Sequence, residues 1–228
     1  MTSTVTPETL TPATKTAVAR VPLFGQEEKR IILDPLWDNN PVALQVLGIC
    51  SALAVTTRLD VSIVMGISVV AVMAMANVII SLLRKMIPSK IRIIVQLVVV
   101  SGAVIIVDQV LRAYAFDLAK QLGVFISLII TNCIVMGRLE AYAMQNPPWR
   151  SLLDGIGNGL GYAWIICVVG AVREIFGSGK LLGFQVIPDA MYEAGYVNNG
   201  LMVLAPGAFI LLGVIVWVQR AISGYVEK

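Results

Sequence analysis

Four long apolar runs, each about as long as a bilayer is thick, restrict this chain more than any other feature. They are Val61–Leu83, Ile91–Leu111, Leu152–Val172 and Gly200–Arg220. A hydrocarbon core of about 30 Å is crossed by about 20 helical residues. Two shorter apolar segments, Pro41–Thr57 and Leu122–Gly137, bring the expected spans to six. The apolar residues run continuously and do not alternate. That excludes barrel strands and leaves helices, which satisfy their own backbone polar groups in lipid. With 57% hydrophobic and 14% charged residues, the chain is far from a soluble domain, which is about 25% charged. The fold class expected is an all-α integral membrane protein.

Charge is unevenly shared between the loops that six spans create. Twelve Lys and Arg fall on the side of the termini, among them Lys29, Arg30, Arg84, Lys85, Lys90 and Arg92, against five on the other. The positive-inside rule then puts both termini in the cytoplasm. No basic stripe with interleaved aromatics points to nucleic acid. The chain has no His, which excludes histidine metal ligation and His-based proton relays within it. Cys50, Cys133 and Cys167 all lie inside apolar segments. An odd number, none in an exterior loop, argues against a disulfide framework. Residues 1–33 are rich in Thr, Pro, Ala and charge and lack the apolar core of a signal peptide. They are expected to form a disordered cytoplasmic tail, followed by Trp37 at headgroup depth.

Each half of the chain reads short, long, long: residues 34–120 hold the first three segments and residues 121–228 the second three. Three spans per unit is an odd number, so the second copy must sit upside down, as an inverted three-helix repeat. The short segments carry most of the information. About 16 helical residues at about 1.5 Å rise cover about 24 Å, less than the hydrocarbon thickness. The first helix of each repeat is therefore expected to be short or broken at mid-membrane. Non-helical backbone there is tolerated only when buried in protein or facing a cavity. Asn39-Asn40-Pro41 reads as the start of the first short helix, and Gly137 as the stop of the second.

Each short segment carries one cysteine near its middle, Cys50 in QVLGICSALAVTT and Cys133 in LIITNCIVMGR. An inverted repeat brings the two toward the midplane from opposite faces. As small buried hydrophobes they need no function; as thiolates they select zinc, copper(I) or iron–sulfur clusters. A tetrahedral metal or a 2Fe-2S cluster normally takes four thiolates. The chain offers two matched ones, so a metal reading requires two more from a second, similar chain. Beside Cys133, Thr131 and Asn132 offer hydrogen bonds that either tune the sulfur or cap broken backbone. Beside Cys50, Gly48 and Ile49 offer backbone N–H groups. Cys167, in a long span without a counterpart, reads as packing.

The stretches DNNPVALQVLGICSALAVTT, RIIVQ, VDQVL, LIITNCIVMGR, DGIGNGLGY and REIFGSGKL, from about Asp38 to Arg220, resemble the family of membrane subunits shared by the sodium-translocating NADH:quinone oxidoreductase and the Rnf complex. GLGY and GSGKL look closer to the quinone-reducing branch, and the long segment before Asp34 departs from the family pattern. The resemblance implies a six-helix subunit of a bacterial inner-membrane respiratory complex that couples NADH oxidation and ubiquinone reduction to sodium export. It implies that Cys50 and Cys133, on half-helices, ligate an intramembrane iron centre, a 2Fe-2S cluster, whose other ligands come from a homologous E subunit. It implies subunits A, B, C and F as further partners, with electrons passing from a 2Fe-2S cluster in F to covalently bound FMN in C. NADH, FAD, FMN, riboflavin and quinone belong to the other subunits, and no complete active site lies in this chain alone. GIGNGLG, from Gly155 to Gly161, opens an apolar span instead of following a strand; it reads as close helix packing and not as a nucleotide loop.

Asp108, near the end of a span, is a candidate for sodium passage or for pairing with Arg112 one turn on. Asp60 reads as a solvated helix start, and Arg173 and Glu174 as the interfacial end of a span. Two other functions fit the same pattern: a secondary transporter or channel with inert cysteines, and a purely structural membrane subunit. Both predict tolerance of Cys50→Ala.

Overall fold

The computed structural model describes residues 26–36, 39–88, 90–114, 123, 127–182, 184–185 and 199–223. Trp37, residues 1–25, the 120/121 boundary between the expected repeats and the start of the second short segment lie outside the described residues.

The described chain is mostly helical. Helix α1 is Gln26–Leu33, and a 3-10 turn follows at Asp34–Leu36; α2 is Ile49–Val55, α3 Leu59–Leu83 and α4 Arg92–Tyr114. Then come α5 at Cys133–Arg138, α6 at Pro148–Ser178, α7 at Gly200–Val203 and α8 at Ala205–Ser223. Among the described residues, four stretches are long and apolar enough to cross a membrane: Leu59–Leu83, Arg92–Tyr114, Pro148–Ser178 and Ala205–Ile222. They match the four long runs, with α6 extending past both expected ends.

The fourth run departs from expectation. It is interrupted at Leu204, whose ψ of 157° ends α7. Pro206 stands two residues into α8 and has no N–H to carry a continuous helix ladder back to Met202. A small feature outside the all-α expectation follows α6. Gly179, at φ 69°, stops that helix with its N–H on the Ile175 carbonyl at 3.0 Å, a left-handed position that suits glycine. Strand β1 (Lys180–Leu181) then pairs antiparallel with β2 (Phe184–Gln185).

Both short segments are broken. In Pro41–Thr57 only the seven residues of α2 are regular helix. Asn40 does cap a turn, its Oδ1 accepting from the Val42 and Ala43 N–H groups at 2.9 and 3.3 Å. The turn does not continue, because the chain reverses through positive φ at Val46 (56°) and Gly48 (84°). In the second segment residues 127–130 are helical, Thr131 and Asn132 are not, and α5 restarts at Cys133. Gly137 is not the stop expected from its residue type; the helix runs through it to Arg138 and into a π-helical turn at Leu139–Ala143. It sits instead where an added Cβ would lie 3.0 Å from Leu47 Cδ1, against the first broken segment.

The core is the pair α3–α6. Val69, Val72, Met73 and Ala76 of α3 and Tyr162, Ile166 and Val169 of α6 are fully buried. Close approach is set by glycines, because helices in lipid gain by packing and not by hiding from water. A Cβ on Gly155 or Gly159 would lie 3.0 Å from backbone atoms of Met73 or Val70 of α3. A Cβ on Gly157 would lie 2.8 Å from the Ile31 carbonyl oxygen of α1, and one on Gly161 would run into that of Pro35. The GIGNGLG stretch is thus two small-residue faces, one per neighbour. Helices α4 and α8 leave most of their apolar surface uncovered.

Candidate metal centre

The two cysteines open the two short helices: Cys50 is the second residue of α2, and Cys133 is the first of α5. The structure brings the two broken segments into direct contact. The Gly48 N–H, immediately before α2, donates to Cys133 Sγ at 2.8 Å. Gly48 thus serves the cysteine of the other segment and not its own neighbour. Cys133 is half-buried and Cys50 is exposed on the surface of the isolated chain.

Asn132 caps α5, with Oδ1 accepting from the Ile134 N–H at 3.3 Å. Its Nδ2 donates to Ser51 Oγ at 3.1 Å, which joins the two breaks a second time. Ser51 Oγ also lies 2.7 Å from the Tyr162 hydroxyl and 3.0 Å from the Gly48 carbonyl. Asn40 Nδ2 donates to the Gly161 carbonyl at 3.1 Å, so α6 supports the first break at both ends. Thr131 is exposed and Ile49 half-buried. Cys167 is half-buried in α6. Among the described residues no three His, Cys, Asp or Glu side chains gather into a metal site.

Ser51 and Tyr162 join this cluster, and sequence reasoning missed both. The available signal was a hydroxyl inside each of two apolar segments, which demands a buried partner. Arg173 and Glu174 have distant partners that the sequence reading did not foresee. They lie in the last turns of α6 and are 2% and 8% exposed. The broken helices explain this, because each break strands backbone groups that need partners. Arg173 Nε and Nη2 donate to the Met202 and Val203 carbonyls at 2.9 and 2.7 Å, and Nη1 to Thr56 Oγ1 at 2.6 Å. Glu174 Oε2 accepts the Leu59 N–H at 2.7 Å and Oε1 the Leu182 N–H at 3.1 Å. One residue pair thus closes the end of α2, the start of α3, the hairpin and the Leu204 break.

Arg138 and Asp154, which the sequence reading did not pair, form a buried two-pronged ion pair, with Nε to Oδ2 at 3.0 Å. Asp154 Oδ1 further accepts from Asn158 Nδ2 at 3.0 Å. Asp60 is a helix start, as its position suggests, holding Arg58 at 2.6 Å and the Val61 N–H at 2.8 Å. Asp108 pairs with Arg112 at 2.9 Å.

Long apolar helices packed through glycine faces, with two interrupted segments meeting at their breaks, define a multi-pass helical membrane protein. A family model described as "Rnf-Nqr subunit, membrane protein" matches residues 29–216, and the chain belongs to that family. It is 56% identical over 205 residues to the D subunit of the Na(+)-translocating NADH-quinone reductase of Serratia proteamaculans, covering 90% of this chain and 98% of that one. The identically named proteins of Yersinia pestis and Yersinia pseudotuberculosis match with the same identity and coverage.

Proposed function

We propose that this chain is a membrane subunit of a redox-driven sodium pump that couples NADH oxidation and quinone reduction to sodium export. In this role it supplies Cys50 and Cys133 as half of the ligands of an intramembrane iron–sulfur centre. The names of relatives similar over nearly their whole length support the complex and the reaction. The ligand role rests on one observation: the break before Cys50 donates a backbone N–H to the Cys133 sulfur. N–H···S bonds favour the negatively charged state that a ligating thiolate holds.

The donor set fits half of a four-thiolate centre and not a whole one. Two cysteines open two touching segments, Cys50 faces outward, and no third ligand stands near among the described residues. A homologous E subunit supplies the remaining two thiolates across the surface where Cys50 is exposed; subunits A, B, C and F complete the assembly and carry the flavins, NADH and quinone. A 2Fe-2S cluster bound there supplies a one-electron carrier at membrane depth. The chain's own residues hold the two thiols, give Cys133 its N–H donor and pack the apolar surround that excludes water. In the bilayer the chain forms six spans as two inverted repeats, residues 34–120 and 121–228, following a tail of residues 1–33. Both termini are cytoplasmic, and the membrane is the bacterial inner membrane.

The test compares iron content and visible absorption of the purified complex for wild type, Cys50→Ala, Cys133→Ala and Cys167→Ala. The first two variants lose one iron centre and electron flow while the third keeps both. Unchanged iron in all three assembled variants refutes the ligand role and returns the chain to a transporter-like or structural part.

A further inference from the structure

The N–H that reaches Cys133 belongs to a residue held from two sides by another helix. Gly48 sits at φ 84° and ψ 7°, in the left-handed region that disfavours any residue with a Cβ. A Cβ there would also lie 2.9 Å from Tyr162 Cε2 and 3.1 Å from Cδ2. The tyrosine ring edge is therefore packed on the Gly48 backbone. Its hydroxyl reaches around to Ser51, three residues further on, at 2.7 Å.

The proton directions in this cluster follow from donor counting. Asn132 Oδ1 accepts from the Ile134 N–H, so its Nδ2 is the group that faces Ser51. The Gly48 carbonyl can only accept, so the single Ser51 proton goes to it at 3.0 Å. Tyr162 must then donate its own proton to Ser51 Oγ. The chain of donation runs from Tyr162 to Ser51 to the Gly48 carbonyl, and on the other side of the same residue the Gly48 N–H meets Cys133 Sγ. Tyr162 and Ser51 are 0% and 2% exposed, so no solvent competes for these bonds, and at low dielectric they hold their geometry firmly.

We propose that Tyr162 and Ser51 are a positioning pair that aims the Gly48 N–H at the Cys133 sulfur and thereby sets the electron affinity of the centre held there. The inference rests on Cys133 being an iron ligand. Hydrogen bonds to ligand sulfur are one of the levers by which a protein sets an iron–sulfur potential. A donor stabilises the reduced, more negative state, so loosening it lowers the potential. Neither residue touches iron; each acts through the glycine.

The experiment uses the whole purified complex carrying Tyr162→Phe, Ser51→Ala, both together, or Tyr142→Phe as a control tyrosine in the turn after α5. Iron per complex is measured, and the midpoint potential of the centre that Cys133→Ala abolishes is followed by redox titration with paramagnetic resonance. Tyr162→Phe keeps the ring on Gly48 and removes only the hydroxyl, so the iron stays. Its potential falls by about 59 mV, a tenfold bias toward the oxidised form for one electron. Ser51→Ala moves the potential in the same direction, and the double variant falls no further than the larger single, because both act through one bond. Potentials of Tyr162→Phe and Ser51→Ala equal to that of Tyr142→Phe, with iron retained, overturn the positioning role and leave the ligand reading standing. A Cys133→Ala complex that keeps every iron centre overturns the ligand reading, and this inference with it.

Discussion

Arg173→Met isolates what a buried guanidinium does between two broken helices. The substitution keeps an unbranched side chain and removes every donor. Four backbone carbonyls lose a partner: Met202 and Val203 at 2.9 and 2.7 Å, and Leu53 and Leu204 at 3.3 and 3.4 Å. Thr56 Oγ1 retains its own bond to the Ala52 carbonyl at 2.6 Å. An orphaned buried acceptor costs about 1–3 kcal/mol, and the two short bonds dominate, which makes a gross loss of about 2–6 kcal/mol. Removing the charge recovers part of this, since burying an ion carries its own penalty of several kcal/mol. The net expectation is a local destabilisation of about 2 kcal/mol, or about thirtyfold in the opening equilibrium. Hydrogen exchange of the complex in detergent reads it out. Amides of Ile49–Val55 and of Gly200–Ala205 exchange about thirtyfold faster, while those in the middle of α3 are unchanged. Equal protection in both segments, or a uniform change across α3 as well, refutes the claim that Arg173 closes these two breaks.

Three further outcomes follow from the packing. Gly161→Ala drives a methyl into the Pro35 carbonyl oxygen, an overpacking cost of about 1–3 kcal/mol, and limited proteolysis cuts residues 26–36 faster. Gly102→Ala in α4, where an added Cβ meets nothing within 4 Å, leaves stability unchanged or raises it by up to about 1 kcal/mol. Arg138→Met strands the buried Asp154 carboxylate at a cost of about 3–5 kcal/mol. The double variant Arg138→Met/Asp154→Leu recovers most of that loss, and thermal unfolding of the detergent-solubilised complex compares the two.

Much of the architecture was legible because hydrophobicity is a local property. Any window of about 20 residues reports whether it can live in lipid, so the four long helices were found, though not all of their ends. The short segments were legible as breaks because neither is long enough to cross as regular helix. GIGNGLG was legible as packing, since glycine in a membrane span has few other uses. The Leu204 break had a local signal in Pro206-Gly207 that the apolar run around it obscured. Gly137 misled because a helix-stopping residue type was read without its neighbour Leu47. The partners of Arg173 and Glu174 were not legible, because the backbone groups they bind belong to other, distant segments.

The sequence by itself determined that this chain lives in a membrane, where its long helices run, and that two short segments, each with one cysteine, are too short to cross as regular helix. Only the tertiary structure decided what the interruptions are joined to. The Gly48 N–H finds Cys133 across 85 residues, Asn132 finds Ser51 across 81, Ser51 finds Tyr162 across 111, and Arg173 finds Thr56 across 117. A stranded backbone group announces that it needs a partner, but not which one. The choice falls to whichever distant donor the α3–α6 packing carries within about 3 Å, and no local pattern of residue types encodes that distance.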